Sequence, residues 1–288
     1  MHKLRISLAR AYMGLFLAFM LLPLVVMLGA AFNNNKLPSI VPWKGWTTFW
    51  FEEMITDQRM MVAFGNTIIV AIAVAVLAVI VGTASAILIN SISGRLRTVL
   101  YGMMISTILI PGVVIGISTM ILWTKMGNAM DVEFFLFKPG LHLSVLGQVS
   151  YIAAMVMLLV LARLQSFDAG LEEAALDLGA SHGQVLRRIL LPHLYPAIGA
   201  GAAVAFFQSI ENYNVTQFTR GGMDTLTVYV FSMVRSGVTP AINALAFLLI
   251  MVTLLLALIY EINRRRLARI EAAREAEARR ATYLEEAL

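Results

Sequence analysis

Six stretches of this chain contain no Asp, Glu, Lys or Arg: residues 11–35, 60–94, 98–124, 139–162, 189–210 and 236–260. A helix needs about 20 apolar residues to cross the hydrocarbon of a bilayer, and each stretch is long enough. A spanning segment must satisfy its backbone internally, which for runs of this length means a helix. The pattern predicts an all-α integral membrane protein with six transmembrane helices. Composition agrees: 59% of the 288 residues are hydrophobic and 14% charged, with mean hydropathy +0.80, whereas soluble domains are about a quarter charged.

The first stretch follows a basic start, MHKLRISLAR. Its apolar run from Ala11 to Phe32 exceeds the roughly 7 to 15 residues of a secretory signal's core, so it is read as a retained helix. A cytoplasmic N-terminus puts fifteen Lys and Arg inside and seven outside, seven of the fifteen in the tail. The positive-inside rule then places both termini in the cytoplasm. The expected layout is a cytoplasmic N-terminus (1–10), a membrane domain (11–262) and a charged, solvated helical tail (263–288). The net charge of +5 is spread over membrane flanks and tail, which points to topology and lipid contact, with no nucleic-acid partner.

Reactive chemistry is sparse. With no cysteine there is no thiolate nucleophile, disulfide or Cys-ligated zinc. His2, His142, His182 and His193 lack metal-ligand spacing, and no Gly-rich loop ends in Gly-Lys. No catalytic residue, metal site or cofactor is expected, a membrane enzyme is disfavoured, and any ATP-derived energy must come from a partner chain.

Between Arg163 and Glu211, the stretch Glu172 to Pro196, EEAALDLGASHGQVLRRILLPHLYP, is too charged to lie in lipid. It reads as two short helices. Glu172 to Leu178 is rich in helix formers, Gly179 supplies a positive φ, and Ser181 caps a second helix from His182 to Leu191. Pro192 and Pro196 are expected to end that helix and start the next. Ala174, Ala175 and Leu178 form a small-residue face beside Glu173 and Asp177, suited to docking rather than reaction.

Glu173, Ala174, Ala175, Gly179, Ile189, Leu191 and Pro192 match all seven positions of the EAA-x3-G-x9-I-x-LP loop, and in this the chain resembles the binding-protein-dependent ABC importer permeases. The resemblance implies a type I importer fold in which loop 171–194 is a cytoplasmic coupling helix seated on an ATPase subunit. It also implies a second permease, two ATPase subunits that hold ATP and magnesium, and an extracytoplasmic solute-binding protein. WKGWTTFWFEEM with Asn66-Thr67, and SMVRSGVTPAINALA, look like the spermidine/putrescine branch, second-permease type. That branch commonly has two acids where Glu211-Asn212 stands here, so another organic cation, an amino-acid derivative or an opine stays open as substrate.

A span entering the membrane near Tyr195 leaves Glu211 within the outer bilayer, where an acid is costly unless it faces a polar cavity or partner. Gln208, Glu211 and Asn214 at i, i+3 spacing, with Asn212 beside them, are expected to line the substrate pathway. The alternative is a helix-end acid paired with Arg220 or Arg235. Pro111-Gly112 should kink or interrupt the third span, lining a cavity or buried in protein. Trp43, Trp46, Phe49, Trp50 and Phe51 mark an interfacial segment. A stand-alone channel or secondary transporter is the alternative class, which the coupling loop disfavours.

Overall fold

The computed structural model describes residues 2–236 and 239–286. Their regular structure is helical apart from one isolated antiparallel bridge between Asn33 and Trp46. The helices are α1 (His2–Ala30), α2 (Phe49–Thr56), α3 (Gln58–Ser91), α4 (Gly94–Leu109), α5 (Gly112–Ala129), α6 (Leu141–Leu164), α7 (Ala169–Asp177), α8 (His182–Val185), α9 (Leu191–Ile210), α10 (Thr216–Thr219), α11 (Leu226–Ser236) and α12 (Ala241–Glu286). Two compact units result, one from residues 58–235 and one from the two ends of the chain.

The larger unit is organised on α3, α6 and α9, which pack against one another. Val70, Val74 and Ala78 of α3 meet Ile152, Val156, Met157 and Val160 of α6, and Leu194 and Ala205 of α9. In lipid there is little hydrophobic drive between helices, so close approach through small residues does the work. Gly82 shows this: a Cβ there would lie 2.6 Å from the Ala153 carbonyl oxygen and 3.0 Å from the Met157 nitrogen. Gly201 meets Val156 in the same way, at 2.9 Å.

The third predicted span is interrupted at Pro111, the stronger of the two outcomes expected there. α4 and α5 bend by 106° across Ile110 and Pro111. Proline disfavours the helical region for the residue before it, and Ile110 is extended (φ −77°, ψ 130°). Pro111 then starts α5, its carbonyl accepting from the Val114 and Ile115 N–H groups at 2.9 and 3.2 Å.

Among the described residues four helices are individually long and apolar enough to cross a membrane, and five if the bent pair counts as one span. The sixth predicted stretch includes residues 237 and 238, which lie outside the described residues. α12 begins at Ala241 and runs unbroken to Glu286, so the predicted tail continues the same helix.

Pro192 does not end a helix. From His182 to Ile210 the chain is one helix of 29 residues, passing through a π-helical turn at Leu186–Leu190 in which the Leu191 N–H bonds the Leu186 carbonyl. The wider turn falls just ahead of Pro192, where the proline ring would crowd the preceding carbonyls of a regular α-turn.

In the smaller unit Asn33 organises the interfacial loop. Its amide donates to the carbonyls of Ser39 and Pro42 at 2.9 and 3.0 Å, its Oδ1 accepts from the Lys44 N–H at 2.7 Å, and its carbonyl accepts from Trp50 Nε1 at 2.8 Å. The Phe32 ring packs at a tilt on Trp46 and Phe51 and edge to face on Phe247.

Candidate functional site

The predicted docking stretch folds into a capped, exposed elbow. Asp168 caps α7, its Oδ1 accepting from the Gly170 N–H at 2.9 Å. The helix closes when the Gly179 N–H bonds the Leu176 carbonyl and the Ala180 N–H bonds the Ala175 carbonyl, at 2.9 and 3.0 Å. This crossed pair needs a left-handed residue, and Gly179 has φ +85°. Ser181 then forms a capping box: its Oγ accepts from the Gln184 N–H and its own N–H donates to Gln184 Oε1.

The seven motif residues fall in two groups. Glu173, Ala174 and Gly179 are exposed on the elbow and Ala175 is half-buried, while Ile189 and Leu191 are half-buried and Pro192 exposed where the long helix leaves it. Two large apolar side chains stand out from the elbow, Leu171 at 54% and Leu178 at 89% exposure.

At the opposite end of α6 the structure assembles a buried polar ladder. Ser144 and Gln148, both fully buried, sit one turn apart on α6. Gln148 Nε2 donates to Thr216 Oγ1 at 2.9 Å, and Gln148 Oε1 accepts from Ser209 Oγ at 2.6 Å. Ser144 Oγ pairs with Thr219 Oγ1 at 2.9 Å. Asn212 Nδ2 donates to the Tyr151 hydroxyl at 2.6 Å, and its Oδ1 accepts from the Val215 N–H at 3.1 Å. Buried polar groups are tolerated when paired in this way.

This ladder corrects the predicted pathway face. α9 stops at Ile210 and Glu211 is its C-cap, so Gln208, Glu211 and Asn214 do not lie on one continuous helix. Asn212 ends the helix by offering its side chain to the backbone three residues on. Glu211 and Asn214 are exposed, Gln208 is half-buried and Asn212 buried. Among the described residues Glu211 forms no ion pair: Arg220 is engaged by Asp224, and Arg235 lies 4.9 Å over the Phe231 ring.

Asn212 and Asn214 meet the broken span instead. With Tyr151, Gly112, Ile110 and Met155 they line a cavity of about 190 Å³. The wall is tight because segment 214–215 runs against glycines. A Cβ on Gly116 would sit 2.8 Å from the Val215 carbonyl oxygen, and one on Gly147 2.7 Å from Val215 Cγ1. Sequence reasoning missed Ser144, Gln148, Tyr151 and Thr216. Its available signal was Ser144 and Gln148 at i, i+4 spacing inside a charge-free stretch.

Residues 78–269 match the family described as the binding-protein-dependent transport system inner membrane component. The chain belongs to that family and is therefore a transport subunit of the inner membrane. It is 34% identical over 235 residues to the putrescine transport system permease protein PotI of Escherichia coli (strain K12), covering 81% of this chain and 82% of the relative. It is 29% identical over 263 residues to the spermidine/putrescine transport system permease protein PotC of Haemophilus influenzae, covering 91% and 98%. Its fold matches a chain in the crystal structure of a bacterial alginate ABC transporter in complex with an alginate pentasaccharide-bound periplasmic protein, with TM-score 0.71, 16% identity, and 90% and 92% coverage.

Proposed function

We propose that this chain is the permease subunit of an ABC importer for polyamines of the putrescine and spermidine class. The observation that carries the reading is its 34% identity, across four-fifths of its length, to a putrescine transport permease. It works with a second permease, two ATPase subunits that bind and hydrolyse ATP, and an extracytoplasmic solute-binding protein. Six spans, the third one broken, place both termini in the cytoplasm, with 1–10 and 263–288 flanking the membrane domain of 11–262.

The elbow is the coupling element: Glu173, Ala174, Ala175 and Gly179 seat in the ATPase subunit, and Ile189, Leu191 and Pro192 join the seat to the bundle. Its exposed Leu171 and Leu178 support this, since apolar side chains on a charged, solvated elbow call for a protein partner. ATPase closure displaces the elbow. The displacement is carried along His182–Ile210, through its attachment to the bundle, to the Asn212 end and alternates access to the pathway. There Glu211, exposed and without an ion pair among the described residues, offers a negative charge to a cationic solute, with Gln208, Asn212 and Asn214 as polar neighbours.

The test is uptake of labelled putrescine into proteoliposomes holding the complete complex, its binding protein and ATP. Gly179→Asp should abolish uptake while leaving membrane insertion intact. Glu211→Gln should raise the apparent KM for putrescine about tenfold, the value of roughly 1.4 kcal/mol of lost charge interaction. An unchanged KM would remove Glu211 from the pathway.

A further inference from the structure

The long helix from the elbow into the bundle is weak in its own backbone bonding at two places. One is the π-turn at Leu186–Leu190, and π-turns recur at functional sites. The other is Pro196, which has no N–H to give the Pro192 carbonyl. Between them stands His193, half-buried, where the helix is tied across to the end of α6.

The tie is reciprocal. Arg163 Nε donates to the His193 carbonyl at 3.1 Å, and His193 Nε2 donates back to the Arg163 carbonyl at 3.3 Å. That second bond adds a donor from α9 to a carbonyl at the last turn of α6 that also accepts from the Ser166 N–H at 3.1 Å. Ser166 Oγ lies 3.5 Å from the same ring nitrogen and itself donates to the Arg163 carbonyl at 2.8 Å. The Phe167 ring meets the imidazole edge to face at 5.3 Å. Neither residue belongs to the seven-position motif, and the helix is fastened to α6 where it is least held by itself.

We propose that Arg163 and His193 form the fulcrum of the coupling element. They are positioning residues that convert elbow displacement into joint movement of α6 and α9. The proposal rests on the coupling reading above. Without the tie, the π-turn and Pro196 let the elbow move while the bundle stays still, so ATP is hydrolysed without import. The Nε2–H donates in the neutral ε tautomer and in the imidazolium, so the tie does not require a charged histidine.

The experiment measures putrescine imported per ATP hydrolysed by the reconstituted complex with its binding protein. His193→Phe keeps a ring against Phe167 and removes the donor. It should lower the ratio five- to tenfold, the scale of one hydrogen bond, while basal ATPase persists. His193→Gln supplies an N–H at similar reach and should retain most of the ratio. Arg163→Met, which breaks the tie from the other side, should lower it like His193→Phe. An unaltered ratio in His193→Phe, or equal losses in His193→Phe and His193→Gln, would overturn the proposal. So would failure of both His193→Phe and Arg163→Met to assemble, which would make the tie a folding contact. Failure of the coupling reading itself is seen separately, as import by the unmodified complex that does not depend on ATP.

Discussion

The two ends of α6 are built on opposite principles. At the Leu141 end, polar side chains are buried and paired: Ser144, Gln148, Thr216 and Thr219 are inaccessible to solvent and each has a partner. At the Arg163 end the chain leaves the bundle as an elbow whose caps are complete but whose surface is open, with Leu178 89% exposed. A region that satisfies every polar group internally is held in one arrangement, because any movement orphans a donor or acceptor. An elbow stiffened by its own caps, and covered by nothing among the described residues, keeps its shape when displaced.

Substitutions should therefore damage stability at the first end and function at the second. The largest effect is expected for Gln148→Leu, which strips partners from Ser209 and Thr216. Thermal unfolding of the purified chain should show about 2–4 kcal/mol of destabilisation, the cost of an orphaned Ser209 hydroxyl plus the bond lost from Thr216, which keeps Asn212 Oδ1 at 3.5 Å. Next comes Gly116→Val. Its Cβ would meet backbone atoms of Val215 at 2.8 and 3.0 Å, which cannot yield as a flexible side chain can, and overpacking of this kind costs about 1–3 kcal/mol. By displacing segment 214–215 it should also lower import more than ATPase activity.

At the elbow the scale falls. Ser181→Ala removes one half of the capping box and should cost about 1 kcal/mol, read as earlier loss of ATPase association on heating rather than as unfolding of the bundle. Leu178→Ala should leave the melting temperature unchanged, since the side chain is almost wholly solvated, yet weaken retention of the ATPase subunit on purification. A drop in stability for Leu178→Ala as large as that for Gln148→Leu would erase the contrast.

The elbow was legible because its signals are local. Gly179 and Ser181 act on backbone groups within a few residues, so their positions alone imply the turn and the cap. Gly82 and Gly201 carried no such message, since their value lies in the α6 atoms they approach. The polar segment after α9 was half legible. Glu211, Asn212 and Asn214 stood out as polar residues after a charge-free run, but their common helical face did not form. Asn212 spends its side chain on Tyr151 and on the Val215 N–H, a competition that periodicity does not register.

Charge-free runs and turn residues determined by themselves that this is a helical membrane protein with a capped, solvated elbow. Each depends only on lipid excluding charge or on backbone bonds a few residues long. Tertiary structure alone decided that Pro111 splits its span by 106°, that Pro192 is absorbed into one continuous helix, and that Gln148 meets Ser209 and Thr216, 61 and 68 residues away. Those outcomes depend on which groups become neighbours once the helices pack, and so on contacts between residues far apart along the chain.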